Sequence, residues 1–404
     1  MPLNTRSLPF IVPSYSLTGD ILSFQRCGLQ YRYYNGSSLP PSRPVQMWTG
    51  NFVHGVLEEA YRRWNQHHDP FPWPYTPRPW PPNLAAPVED THDVGALGHR
   101  VEVRLAAMGL KPRSEEARRA AYNRAEAAIS LLGTHLFPLI TLAEEPISGT
   151  RDMPPMPPGQ QARGTRYELV GIVDVISSVV FGANQTNPIV QLVQGSLPNI
   201  SGGEYDLLVD YKAGRRPSGD SSFAQQYEWQ LQTYAWLRRQ IPQTRQVGAS
   251  ILVYVNELRP SKTDLMELKR ELQNGSTDVV PSNGTPDYYA IHSWQPDQPG
   301  QPGHNLPTLS TEFRLRRAIK VVDVSPDAVQ NALARIDSVV THIESSAFSE
   351  NNSGNIPGNW QACGEPQDCD TCDFFHFCPS PAQFRAQQQQ SAAPLPPRAP
   401  LAPG

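Results

Sequence analysis

The sequence predicts an α/β fold, a mixed central sheet flanked by helices, with a helical N-terminal region and a C-terminal cysteine-rich cap. Three observations predict it. Apolar, β-branched runs at 166–180, 205–212 and 248–256 have the length and composition of buried strands. Segments with helical spacing precede and separate them. Four of the five cysteines crowd between Cys363 and Cys378.

The elements follow in order. Residues 16–34 are predicted helical, capped near Ser16 or Thr18. A second helix over 48–66 carries an apolar stripe of Phe52, Val53, Val56, Leu57, Ala60 and Trp64. Residues 91–109 and 114–136 give two more, the latter starting at Ser114. Strands are predicted at 140–147, 166–180 and 205–212, with Met153–Pro158 as a hairpin excursion. A helix over 222–240 and a fully buried strand over 248–256 come next. Residues 313–324 alternate and are predicted to return to strand, and 325–346 form a helix opening on Ser325-Pro326. The expected organisation is an N-terminal helical region (1–140), a sheet-bearing core (141–256), a polar insertion (257–308), a C-terminal strand, helix and cysteine cap (309–380), and a Gln/Ala/Pro-rich disordered tail (381–404). Residues 65–113 and 182–203 are further long inserts. The proline cluster at 69–82 must be extended, and its aromatics either pack on their own domain or stack on bases.

Composition excludes some classes. A net charge of −4 argues against duplex binding by bulk positive charge, though Arg215-Arg216, Arg238-Arg239 and Arg314–Arg317 leave room for a local basic groove. No apolar run reaches the roughly 18–20 residues of a membrane-spanning helix. The N-terminus lacks a charged segment followed by an apolar one, so a cytoplasmic location without membrane association is the expectation.

Chemistry concentrates at Asp210-Tyr211-Lys212, which closes the run from Tyr205. Asp210 and Lys212 are two apart on a strand and leave the same face. Charges at the end of a core strand are costly unless they pair or do chemistry. Only five of the 34 basic residues are lysines, so a lysine here points to a compact ammonium rather than a guanidinium fork. Asp174 lies in the middle of another β-branched run, where propensity disfavours it. If the two strands pair, the carboxylates approach, and a cation between them relieves their repulsion. Oxygen donors favour Mg²⁺ or Mn²⁺. Gln230 and Tyr234 share a helical face at i and i+4, and His54 stands on the second predicted helix.

The order His54, Gly171-Ile-Val-Asp174, Asp210-Tyr-Lys212 and Gln230-Leu-Gln-Thr-Tyr234 resembles the PD-(D/E)XK nuclease superfamily in its RecB-like branch. Tyr15 to Cys27 is similar to that branch's opening helix, and the likeness runs in order from about residue 14 to 380. The resemblance implies a restriction-endonuclease-like fold. It implies a divalent metal held by His54, Asp174, Asp210 and the Tyr211 carbonyl. Lys212 would orient or activate the attacking water, and Gln230 and Tyr234 would brace the site and contact nucleic acid. Glu145 precedes the core like the acidic residue often seen before the GxxD motif, or is a solvent-facing strand residue.

The cysteines fit metal binding better than disulfides in a chain of this length with one cysteine unpaired. Zinc would use Cys363, Cys369, Cys372 and Cys378. Cys27 with Cys369, Cys372 and Cys378 instead resembles the iron–sulfur nucleases of the same branch, the CRISPR-associated RecB-like exonucleases and AddB-type nuclease domains, and implies a 4Fe–4S cluster. Cys363 departs from that pattern.

The expected function is a Mg²⁺- or Mn²⁺-dependent deoxyribonuclease, an exonuclease on single-stranded DNA ends, in repair, recombination or CRISPR adaptation. With no P-loop motif, any unwinding needs a helicase or other partner protein. The alternatives are a non-catalytic DNA-binding or scaffold subunit of a helicase–nuclease complex, and a zinc-stabilised enzyme of unrelated activity.

Overall fold

The computed structural model describes residues 12–36, 46–87, 89–182, 186–197, 200, 202–218, 221–296, 305–363, 369, 372–375 and 378. The expected disordered tail at 381–404 lies outside them. Two compact units divide the chain. A terminal unit comprises Met1–Ser42, Arg151–Tyr167 and Arg335–Gly404, and a sheet unit comprises Arg43–Thr150 and Glu168–Ala334.

The first segment enters as β1 (Ser14–Ser16) and makes a wide turn over Leu17–Leu22, whose start is capped by the Ser16 side chain accepting from the Gly19 amide. It continues as α1 (Ser23–Arg26) and α2 (Gly28–Gly36). The single helix expected over 16–34 is therefore broken, and the break falls on Cys27, whose backbone is extended at φ −160°, ψ 106°. A Cβ on Gly28 would lie 3.2 Å from the Gln361 carbonyl oxygen, so glycine lets this break pack closely against the C-terminal segment.

The sheet unit opens with α3 (Gln46–His67), α4 (Val94–Ala107) and α5 (Glu115–Ala128), the last two capped by Asp93 and Ser114 as N-caps should be. The α5 path continues through Gly133, α6 (Thr134–Leu136) and a tight turn at Phe137–Leu139. Then come β2 (Ile140–Asp152), β3 (Arg166–Phe181), α7 (Pro188–Ser196), β4 (Gly203–Lys212), α8 (Ser222–Gln240), β5 (Val247–Tyr254) and the short α9 (Val255–Leu258). β3, β4, β5 and β6 (Ile319–Val322) lie side by side in that order, with β2 on β3. The β3–β4 and β5–β6 pairs are antiparallel and β4–β5 is parallel, so the sheet is mixed, as expected of the restriction-endonuclease-like fold. Its core forms where Phe52, Val53 and Val56 of α3, Leu97 and Val101 of α4 and Ala121 and Tyr122 of α5 meet Val175, Val209, Ile251 and Val253 of the sheet.

After β5 the chain carries more helix than the sequence pattern predicts. The stretch expected as a polar insertion folds into α10 (Lys262–Asn274) and α11 (Pro286–Ser293). Ser261 and Asp264 make a reciprocal capping box at the start of α10, a signal present in the sequence. Leu265, Leu268, Ile291, Trp294, Leu309 and Phe313 give this region a small core of its own. The alternating run from Phe313 is not strand at first: α12 (Thr311–Ala318), capped by Ser310, precedes β6 (Ile319–Val322). The Ser310 cap and the burial of Leu315 beside Arg317 and Ala318 decide that competition for helix. The insert at 182–203 likewise holds α7, started by Asn187 and Pro188. Of the proline cluster's aromatics, Trp73 is buried and stacks on Phe71, which packs against the core, while Trp80 is exposed.

α13 (Pro326–Ser353) and α14 (Ile356–Asn359) complete the chain's described helices of four residues or more. Within the terminal unit, Glu344 is fully buried, accepts three N–H donations from Arg163 and also bonds the Tyr15 hydroxyl. Among the described residues, no helix is long and apolar enough to cross a membrane.

Candidate active site

β3 and β4 run antiparallel with Val175 opposite Val209. One step further along this register stand Asp174 and Asp210. There the strands open, and the Tyr211 amide donates to Asp174 Oδ2 at 2.7 Å. His54, from the middle of α3, places Nδ1 3.4 Å from the same oxygen and its ring edge-on to Tyr211 at 6.1 Å. Burial opposes a charge on His54, but Asp174, with Asp210 beyond it, outweighs burial and holds the imidazole up at about 9. Asp210 is pushed up by burial and by Asp174, against the pull of Lys212.

Lys212 Nζ lies 2.6 Å from Asp210 Oδ2 and donates to Gln230 Oε1 at 2.9 Å. The Asp210 contact is an ion pair without hydrogen-bond alignment, so that buried oxygen has no hydrogen-bond donor. Gln230 in turn donates through Nε2 to the Tyr234 hydroxyl at 3.0 Å. Gln230 and Tyr234 are both buried, so here they brace the lysine from behind rather than facing outward. The Tyr234 ring fills the space beside Gly171, where a Cβ would stand 2.5 Å from Cε1. Gly171 is thus needed for close approach, which links two of the sequence motifs through one contact. Tyr227, one turn before Gln230 on α8, sets its ring 4.5 Å from Lys212 Nζ.

Sequence reasoning missed one participant. Glu144, not Glu145, joins the site. Ligand atoms of His54, Glu144 and Asp174 all lie within 4.8 Å of one another. Glu144 has φ +53°, a left-handed conformation inside β2 that breaks the strand's side-chain alternation. Such a conformation costs on the order of 1–3 kcal/mol in a non-glycine residue and persists only where surroundings hold it. Burial, then Asp174 and Glu58, push the Glu144 carboxyl up to about 7. The adjacent pair Glu144-Glu145 was the available signal; which one turns inward depends on that local kink.

Asp174, Asp210 and Glu144 face one ammonium and one imidazole, an arrangement that repels itself unless a cation enters. The oxygen-rich donor set and the His54–Glu144–Asp174 trio fit a hard divalent ion.

Residues 200–379 match the family model of the PD-(D/E)XK nuclease superfamily. The match points to a nuclease, and nucleases of the PD-(D/E)XK superfamily are generally dependent on divalent metals. The matched span holds Asp210, Tyr211, Lys212, Gln230, Tyr234 and Cys363 to Cys378; it begins after His54, Glu144 and Asp174. A search of curated proteins finds no match.

The cysteines lie in the terminal unit, all as free thiols. Cys27 Sγ accepts from the amides of Gln30 and Cys363, and Gln30 Nε2 reaches Cys372 Sγ at 3.4 Å. Burial, then Cys363, Cys378, Cys27 and Cys372, push the Cys369 thiol up to about 11. Among the described residues they form no trio as tight as that of His54, Glu144 and Asp174.

Proposed function

We propose that this chain is a divalent-metal-dependent deoxyribonuclease that degrades DNA from single-stranded ends, in repair, recombination or CRISPR adaptation. The observation that carries the proposal is the convergence of Asp174, Asp210 and Lys212 on one locale, with His54 and Glu144 beside them. His54, Glu144, Asp174 and Asp210 would hold Mg²⁺ or Mn²⁺, with the Tyr211 carbonyl adjacent. The bound ion would supply Lewis-acid charge to the phosphodiester. Lys212 does the rest. It pairs with Asp210, donates to Gln230 and rests against Tyr227, and its free donor capacity would face the charge that builds on the phosphate or orient the attacking water. Gln230 and Tyr234 fix where that ammonium stands.

The test is cleavage of end-labelled single- and double-stranded DNA, after anaerobic purification, with each metal. Asp210→Ala and Lys212→Ala should each lower Mg²⁺/Mn²⁺-dependent cleavage by about 10²-fold or more while the protein stays folded. Full activity in both variants would refute the assignment, and inactivity of the wild type would favour a scaffold subunit. A processive version of the activity would draw on a separate helicase, and a cytoplasmic setting suits both.

For the terminal unit we propose a 4Fe–4S cluster on Cys27, Cys369, Cys372 and Cys378. The broken helix at Cys27 and its bonds to the C-terminal segment support this reading. Cys363, buried beside Cys27, supports zinc as a second reading. Iron content and visible absorbance separate them. Cys372→Ala should lose colour and stability together; unchanged colour and melting temperature would count against the cluster.

A further inference from the structure

We infer that Phe223 is a stacking platform for an unpaired nucleobase a few nucleotides from the reacting phosphate. This rests on the nuclease reading and names the form of substrate the site takes. Phe223, Tyr227, Gln230 and Tyr234 fall at i, i+4, i+7 and i+11, so they line one face of α8. The inner members are pinned: Tyr234 against Gly171, Gln230 to Lys212 Nζ, Tyr227 over the same ammonium. Exposure rises along the row from the buried Gln230 and Tyr234 through the half-buried Tyr227 to Phe223, which is 52% exposed. What sets this exposed ring apart from a single apolar residue at the surface is that it continues the row that ends on Lys212.

The distances suit a nucleic-acid strand. At 1.5 Å per residue, Phe223 stands about 6 Å along the axis from Tyr227 and roughly 10 Å from Gln230. A stacked strand advances about 3.4 Å per nucleotide. A phosphate at Lys212 therefore brings a base two or three nucleotides away to the Phe223 ring. Bases inside a duplex already have both faces stacked, so away from a duplex end it is an unpaired base that can use the ring. Stacking on an aromatic ring is tolerant of sequence, so the ring selects strandedness and not base identity.

Phe223→Ala removes an exposed side chain and leaves every residue of the site in place. With Ca²⁺ in place of Mg²⁺, its affinity for a single-stranded oligo-dT should fall about tenfold while affinity for a closed circular duplex changes little, and Phe223→Trp should restore it. An abasic substitution walked through the first four nucleotides should cost wild type a similar factor at one position and cost Phe223→Ala nothing more there. Equal losses on single strand and duplex, or unchanged affinity, would overturn the inference while leaving the nuclease reading intact. A fall in oligomeric mass with unchanged DNA binding would overturn it in favour of a contact between copies. Absence of cleavage of any DNA or RNA by wild type would instead remove the nuclease reading, and this one with it.

Discussion

Asp206 and Asp210 stand four residues apart on β4, and both are buried. Both meet α8, Asp206 through Arg238 Nε at 2.8 Å and Asp210 through Lys212 and Gln230. Each leaves one carboxylate oxygen without a hydrogen-bond donor. The difference is the company. Around Asp206 stand two guanidinium groups, Arg238 and, at 4.0 Å, Arg245. Around Asp210 stand a second carboxylate, an imidazole and a compact ammonium. Two arginines neutralise an acid and tie α8 to the sheet. Asp174 and Asp210, with Glu144 beside them, outnumber Lys212 and His54 and hold a place for a cation. A buried acid with an unbonded oxygen is therefore not by itself a site; the sign of the surrounding charge decides.

The contrast breaks most sharply at Asp206. Asp206→Ala would leave Arg238 buried without its partner and should cost about 3–5 kcal/mol of stability, read by denaturant melts. The fraction that remains folded should still cleave DNA within a few-fold of wild type. Loss of cleavage without loss of stability would erase the distinction between the two ends of the strand.

A smaller effect is expected at Gly171. Gly171→Ala drives a methyl into the Tyr234 ring and should cost about 1–3 kcal/mol. Through Gln230 it should also loosen Lys212 and lower kcat. Adding Tyr234→Ala removes the clash, so the pair should be less destabilising than the sum of the single changes. Strict additivity would show that Gly171 and Tyr234 are not coupled, and an unchanged kcat would show that the contact does not transmit to the lysine.

Glu344 sharpens the comparison as a third buried acid, paired by Arg163 and Tyr15. Burial would raise its carboxyl, but the Arg163 and Tyr15 hydrogen bonds prevail and hold it below the usual 4.5. A depressed acid contributes stability that is complete above about pH 4.5 and is lost as pH falls through its folded value. Glu344→Gln should therefore cost on the order of 1–2 kcal/mol at pH 7, with the difference from wild type shrinking below about pH 4. A gap that stayed constant with pH would mean that charge plays no part in this pairing.

Much of the sheet was legible because buried strands need continuous apolar runs, and 166–180, 205–212 and 248–256 supply them. Asp210 and Lys212 stood out for the same reason, as charges interrupting such a run. Asp206 sits in the same run and drew no notice, since only the fold shows that Arg238 reaches it. Glu144 was not singled out, and Glu145 stayed open between a site acid and a solvent-facing residue, because a left-handed residue inside a strand leaves no mark in the side-chain pattern. The helices α10 and α12 were missed where capping serines outweighed an unpromising composition.

The sequence by itself determined the strands, the helix stripe of α3, and the residue types able to serve a divalent ion, because local periodicity and burial cost act on neighbours in the chain. Tertiary structure alone decided which acids share a cation's space, which acid arginine silences, and that Gly171 must yield room to Tyr234. Those outcomes depend on segments more than thirty residues apart meeting at ångström range, and no local pattern encodes that meeting.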